Sequence, residues 1–380
     1  MTSNVGTESR WAWTEVDLGA FDYNVRTFKK MLQPSTRMMA VIKADAYGHG
    51  AERCAFAALI AGANRFGVAT VEEGVKLRDA GIEVPIQLLS EPPIETITQL
   101  IEYELIPAAT TEEFIKELSR QALIADKTAL YHMAVNTGMN RIGFRPDDVV
   151  RVALRAAALP HIKMEGVFTH FATADVAGDW DAQDAFALFE QTIESLRAND
   201  IDPGIVHCAN TAATILMPES HFDMVRIGIG LYGLHPSRDT MKLVNLEPVM
   251  AVKARATLVK PIAMGEGVSY GLTWHAFERG SIATLPIGYA DGLPRRLSNK
   301  MECLVGGKRV QQVGRICMDQ FMCEIPASMD VHQGDEFVIV GKQGDEEISL
   351  DALADEVGTI NYELACLLGS MRLPRVYVGL

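Results

Sequence analysis

Ala40-Val-Ile-Lys43-Ala-Asp-Ala-Tyr47-Gly-His-Gly50 runs an apolar strand straight into a lysine and then into a glycine-punctuated turn. A buried strand has no structural reason to end on an ammonium. The apolar residues before it would desolvate Lys43 and lower its pKa, freeing the amine as a nucleophile for a carbonyl partner. On its own, a lysine at a strand end more often snorkels into water, so the meaning of this stretch depends on its surroundings.

Working outward, short β-rich runs alternate with segments of helical period from about residue 38 to residue 230. The runs are Met38–Ile42, Arg65–Ala69, Pro85–Leu89, Leu105–Ala109, Thr128–Val135, Met164–Thr169, Gly204–Cys208 and Phe222–Arg226. Between them the periodicity predicts helices over Ala51–Ala63, Val71–Ala80, Thr111–Ile124, Pro146–Ala158 and Gln183–Asn199, with start signals at Thr111-Glu-Glu and Pro146-Asp-Asp. Alternation of this kind requires parallel pairing through crossovers, and eight units is the number that closes a barrel. An open doubly wound sheet is the alternative on pattern alone. Past Pro236 the texture turns to β-branched alternation with glycine turns, as in Val252-Lys-Ala-Arg-Ala-Thr-Leu-Val-Lys260, with one short helix at Leu350–Val357. The expected class is therefore α/β, a (β/α)8 TIM-type barrel over 14–240 followed by a mainly β domain over 241–380 that also takes 1–13. Trp11–Asp17 reads as a strand able to join either part.

Composition narrows the function classes. The chain has 380 residues, 48% hydrophobic, with a formal net charge of −14 and no segregated basic run. Nucleic acid and anionic membranes are thereby disfavoured as partners. The first residues show no export signal and no apolar run reaches spanning length, which predicts a cytoplasmic protein. The six cysteines form no Cys-x-x-Cys pair and no zinc spacing with histidine, so neither a disulfide framework nor a metal is expected.

In a parallel barrel, chemistry gathers at the carboxyl ends of the strands. Those ends carry Lys43, the loop Asn136-Thr-Gly-Met-Asn-Arg141, His170, Asn210-Thr211 and Arg226-Ile-Gly228. Thr211 and the amides around Gly228-Ile229-Gly230 follow strands seven and eight, where such barrels hold phosphate. A lysine able to form a Schiff base plus a phosphate cradle is the pairing expected of pyridoxal 5'-phosphate.

With these residues in view, the chain resembles the alanine racemases, barrel-type pyridoxal-phosphate enzymes, over essentially its whole length. The resemblance rests on Val41-Ile-Lys43-Ala-Asp-Ala-Tyr47-Gly-His-Gly, Asn136-Thr-Gly-Met-Asn-Arg141-Ile-Gly, Phe168-Thr-His170-Phe-Ala-Thr-Ala-Asp, Val225-Arg226-Ile-Gly-Ile-Gly-Leu-Tyr-Gly, Gly267-Val-Ser-Tyr270-Gly, Leu285-Pro-Ile-Gly-Tyr289-Ala-Asp-Gly and Gly314-Arg-Ile-Cys-Met318-Asp319-Gln. It implies that Lys43 carries the cofactor, that Tyr47, Asn210, Thr211, Gly228, Ile229 and Tyr362 hold it at the phosphate end, that His170 packs on its ring, and that Arg226 faces its pyridine nitrogen. It further implies a two-base racemisation, Lys43 on the D face and Tyr270 of the other subunit on the L face. Arg141, Tyr289, Met318 and Asp319 would meet the substrate, and a homodimer would share its active sites. D-alanine for peptidoglycan would be the product.

One departure from the family stands out. Many relatives have a carbamylated lysine that orients the equivalent of Arg141, and this chain has Ala134 there. The resemblance then leaves chloride assisted by Asn136, or Asp319, to hold Arg141. A serine or broader-range racemase is the closest competing function, and a non-catalytic cofactor-binding protein a more distant one.

Overall fold

Strands form where the apolar runs predict them. The computed structural model describes residues 10–369 and 372–379. After β1 (Ala12–Asp17) come β2 (Arg37–Val41), β3 (Arg65–Val68), β4 (Ile86–Leu88), β5 (Leu105–Ile106), β6 (Ala108–Ala109), β7 (Ala129–Ala134), β8 (Ile162–Phe168), β9 (Ile205–His207) and β10 (Met224–Ile227). Two parallel sheets run β10-β2-β3-β4-β5 and β6-β7-β8-β9. Pro107 separates β5 from β6 because it has no N–H to give the ladder, yet its carbonyl still accepts from His132 N at 3.0 Å. The two are halves of one stave. Asp223 N to Val206 O at 3.1 Å and Arg226 N to Ala209 O at 2.9 Å join the remaining edges. A closed (β/α)8 barrel results, and parallel strands buried on both faces explain why its runs read as nearly continuous apolar sequence.

Local chemistry sets the helix limits. Thr70 and Glu73 cap each other's backbone groups at the start of Val71–Asp79, Thr111 caps Glu112–Ile124, and Pro146 opens Pro146–Ala157. Pro146–Ala157 buries Val149, Val152, Ala153 and Ala156, a stripe at the helical period. Asp179 accepts from Ala182 N, so the next helix starts at Trp180 and not at Gln183. Leu18–Met31, Ile97–Glu102, Thr211–Leu216 and Asn361–Leu368 are helices that the periodicity did not reveal. The first is capped by Asp17, whose Oδ1 takes the amides of Gly19 and Ala20, a signal present in the sequence; the last has no side-chain cap.

The chain divides into two compact units, one of Phe21–Ala46 and Ala51–Glu247 and the other of residues up to Ala20, Tyr47–Gly50 and Pro248–Leu380. In the second, strands follow the order 258–262, 280–285, 321–325, 308–313, 302–305, 336–343, 250–255, β1 and 375–378. Where the sequence suggested a boundary at residue 14, β1 runs unbroken, antiparallel to Met250–Arg255 and parallel to Arg375–Val378. Residues 1–9 of that expected segment lie outside the described residues. Among the described residues, no helix is long and apolar enough to cross a membrane.

Candidate active site

Lys43 follows β2 after one residue, Ile42, and is half-buried, while Ala44, Asp45, Ala46 and Tyr47 all take left-handed φ values of 52°, 52°, 57° and 52°. L-residues adopt that geometry at about 1–2 kcal/mol each, so something must hold the turn. Ala46 N donates to Ile42 O at 2.9 Å, Ala44 N to Glu73 Oε1 at 2.7 Å, and Ala51 N to Asp45 Oδ1 at 2.8 Å. Glu73 thus serves two elements, its Oε2 taking Ala69 N at 2.7 Å. The periodicity marks Val71–Ala80 as a helix and does not point to Glu73; the Thr70-x-x-Glu73 spacing is the signal that does. Glu73→Ala is expected to lower stability by about 1 kcal/mol or more and to lower activity more than it lowers helix content. Circular dichroism beside a rate assay checks this, and unchanged activity would count against a role in placing Lys43.

At the phosphate end expected from the sequence, Asn210 caps the short helix Thr211–Leu216 through Ala213 N at 2.9 Å. Thr211 Oγ1 accepts from Gly228 N at 3.0 Å. The Gly228 amide is therefore occupied, and the Thr211 O–H and the Ile229 amide are the donors at hand. Glycine is required at 230, since a Cβ there would fall 2.5 Å from the Phe28 ring and 2.8 Å from Thr211 Cγ2. Tyr232 Oη ties this turn to Val41 O, one stave over, at 2.9 Å.

Arg226 is buried in the barrel, donating to Thr169 O at 2.9 Å and Cys208 O at 3.1 Å and lying 3.0 Å from both His170 Nδ1 and His207 Nδ1. Burial, opposed by Cys208 and reinforced by Arg141, pulls its pKa down to about 10, which leaves it a cation at neutral pH. Burial first, then Arg226, Arg141 and Lys43, hold His170 at about 3. Burial likewise holds His132 at about 4 and His207 well below the ordinary imidazole value.

A pH dependence follows from these three histidines. Their folded pKa lies below the unfolded 6.5, so as pH falls through 6.5 the unfolded chain takes up protons first. Stability is full above that value and falls below it, by about 1.4 kcal/mol per pH unit for each histidine, until His132 titrates near 4 and His170 near 3. Urea midpoints at pH 7.5 and 5.5 should differ sharply. A flat profile would contradict the neutral, buried state.

Arg141 sits exposed at the end of the loop after β7. Asn136, expected to help hold it, is spent on the loop itself, accepting from Gly138 N at 3.2 Å and Asn140 N at 2.9 Å and donating to Asn140 Oδ1 at 2.9 Å. Ala134 packs with Ala108, Phe168 and Ile142, an apolar filling where a lysine would need room.

In the strand unit, the rings of Tyr47 and Tyr362 lie 6.2 Å apart. Gly48, with φ of 85°, admits no side chain, because a Cβ would fall 2.6 Å from Ala365 O. Tyr270 is 72% exposed on a turn in which Ser269 and Leu272 both have positive φ, 64° and 44°. Ser269 Oγ anchors this turn to Arg315 O at 2.6 Å, and the Arg315 guanidinium packs against Gly271. Sequence reading did not single out Arg315. Tyr289 N and Ala290 N donate to Cys317 O and Met318 O at 3.1 and 3.0 Å, which places Tyr289 beside Met318. Asp319, the other group considered for Arg141, pairs with Arg372 at 2.8 Å.

A strand-end lysine, a turn of neutral donors and a buried guanidinium in one closed barrel mark an enzyme whose chemistry lies at the carboxyl ends of its staves. Comparison with known proteins gives the family. The family model for the alanine racemase N-terminal domain matches residues 16–236, and that for the C-terminal domain matches residues 249–377. Alanine racemases of Desulfovibrio desulfuricans and Halothermothrix orenii are each 42% identical to the chain over 97% of its length, covering 98% and 97% of their own. The crystal structure of alanine racemase from Bacillus anthracis with bound L-Ala-P superposes with a TM-score of 0.92 at 38% identity, over 97% of this chain and 95% of that one. Histidine racemase from Leuconostoc mesenteroides superposes at 0.89 with 31% identity, over 99% of this chain and 100% of that one. The chain belongs to the alanine racemase family, and it interconverts the enantiomers of alanine.

Proposed function

We propose that this racemisation uses pyridoxal 5'-phosphate bound through Lys43, that the enzyme works as a cytoplasmic homodimer with shared active sites, and that it supplies D-alanine for peptidoglycan. The cofactor, when bound, supplies an electron-withdrawing ring that acidifies the substrate α-carbon. The donor set suits such a group. Thr211 Oγ1–H, the Ile229 amide and the phenols of Tyr47 and Tyr362 offer neutral donors to a phosphate, with Asn210 and Gly228 shaping the turn. His170 packs against the ring. Arg226 presents only donors to the ring nitrogen and keeps its proton.

Lys43 Nζ then moves the α-proton on the D face and Tyr270 Oη of the other subunit moves it on the L face. Arg141, Tyr289 and the Met318 amide hold the substrate carboxylate, with Asp319 nearby. In this reading the domain over 241–380 completes the site on the partner's barrel over 14–240. The exposure of Tyr270, Met318 and Tyr289, at 72%, 53% and 42%, supports it, since groups reserved for a partner's site stand open in a single chain. A monomeric variant should be inactive with cofactor bound, and full activity in such a preparation would overturn shared sites.

The observation that carries the reading is Lys43 itself, set at the barrel mouth by a left-handed turn that the fold holds against its own cost. The test is loss of the α-proton of L-alanine in deuterated water, followed by NMR beside a chiral assay. Loss with accumulation of D-alanine establishes two working bases. Loss without inversion means that one face is unserved, and no exchange would favour a binding protein. The Leuconostoc enzyme shows that this fold also serves a larger side chain, so L-serine and L-histidine belong in the same assay.

A further inference from the structure

Beneath Arg226 the barrel interior is polar, and four staves bring His207 on β9, His132 on β7, Glu165 on β8 and Arg65 on β3 into one line of contacts. Arg226 Nη1 lies 3.0 Å from His207 Nδ1, His207 Nε2 lies 2.8 Å from His132 Nδ1, and His132 Nε2 lies 2.8 Å from Glu165 Oε2. Arg65 then grips both carboxylate oxygens, at 2.8 Å each.

The proton positions follow from the chemistry of the two ends. A guanidinium has only donors, so His207 Nδ1 accepts. His207 must then carry its proton on Nε2 and give it to His132 Nδ1. His132 carries its own on Nε2 and gives it to the carboxylate, which has only acceptors. Arg65 Nη1, 3.2 Å from His132 Nε2, brings a second donor to the same place, and the two share Glu165. Reversing either ring sets N–H against N–H. Along the line from Arg226 to Glu165, this order is the only one that sets a donor against an acceptor at each step, and it leaves the longer approach of Arg65 to His132 as two donors converging on one carboxylate.

We propose that His207, His132 and Glu165 are positioning residues for Arg226, a one-way hydrogen-bond chain that commits one arm of the guanidinium inward and so fixes the edge it presents at the barrel mouth. Burial supports the arrangement by keeping both imidazoles neutral, as their low pKa values show. So does Glu165, where burial alone would raise the pKa but bonds from His132 and Arg65 hold it at about 2. The chain's far end reaches a cavity of about 420 Å³ lined by Glu165, Arg78, Glu104 and Lys127, at the starts of the strands and away from the mouth. None of the three residues touches the reacting atoms. The proposal rests on the assignment of Arg226 to the cofactor ring.

The test has two arms on the holoenzyme. In protein labelled with ¹⁵N at its nine histidines, ring-nitrogen NMR should show His132 and His207 protonated at Nε2 alone and not titrating from pH 6 to 9; either ring found protonated at Nδ1 overturns the proposal. In the second arm, His207→Leu removes both hydrogen bonds, whereas His207→Gln can accept from Arg226 and donate to His132. The leucine variant should lose about 10- to 100-fold in kcat, as outer partners of metal ligands do when removed, with KM little changed and the cofactor absorption maximum displaced. The glutamine variant should recover most of both. A leucine variant with wild-type kcat and spectrum sinks the positioning role, as does a folded glutamine variant no better than leucine. If the leucine variant fails to fold, the glutamine variant and the ring-nitrogen spectra decide. A wild-type protein that never shows a cofactor spectrum points instead to failure of the cofactor reading, because the ring-nitrogen arm does not depend on it.

Discussion

Tyr270→Phe is expected to lower racemisation by on the order of 10²- to 10⁴-fold, the range for loss of one acid–base group, while the α-proton of D-alanine continues to exchange with solvent. The two halves of this result come from different parts of the chain. Phenylalanine keeps the ring, and the turn that carries it is fixed by backbone and by Ser269, with Gly271 at a φ of 73° and Ser269 Oγ on Arg315 O. Only the phenolic oxygen is lost. On the proposed two-base mechanism Lys43, on its own turn, would still serve the D face. Proton NMR in deuterated water, started separately from L- and D-alanine, reads each face in turn. Equal loss of exchange from both enantiomers would show that Tyr270 is not a base for one face, and undiminished racemisation would remove it from the mechanism.

The barrel was legible because a buried parallel stave has no polar face to confuse the period, so each run was found within a few residues. The mouth was legible for the same reason. Lys43, His170 and Arg226 are polar groups at the ends of apolar runs, where nothing else explains them. What was hidden lies in three dimensions. Arg65, His132, Glu165 and His207 sit inside or beside apolar runs up to 142 positions apart, and only barrel closure brings them together. The left-handed turn was hidden too, since Ala44 and Ala46 carry no preference for it, a single Asp45 is a weak signal, and Gly48 and Gly50 mark unusual backbone only after it. The bonds that Asn136 makes within its own loop were hidden as well, since a single sequence cannot distinguish such a use from a ligand contact.

Arg65→Met is expected to cost about 3–5 kcal/mol, the scale for breaking a buried ion pair from one side. The Arg65→Met/Glu165→Met double variant should cost clearly less. The Arg65 side chain is 4% exposed and that of Glu165 20%, and both carboxylate oxygens are gripped at 2.8 Å. Removing the cation leaves the carboxylate with His132 as its remaining partner in the contacts described, and burial, which already acts to raise its pKa, then prevails. Removing both charges ends that penalty but leaves the His132 Nε2–H without its acceptor, so about 1–3 kcal/mol should persist. The sign of the pH effect separates the two variants. In the unaltered protein Glu165 is depressed to about 2 from 4.5, so its contribution is present above 4.5 and is lost as pH falls toward 2. In the single variant burial is expected to raise the folded pKa, so its deficit relative to the unaltered protein begins to narrow above 4.5, as protonation relieves the strain, and narrows further below 4.5, where the unaltered protein loses its own contribution. Urea midpoints of all three proteins at pH 7 and at the lowest pH where they remain folded measure this. A single variant no worse than the double would mean that the pair is stabilised by something other than mutual charge, and the barrel core would then tolerate a lone carboxylate.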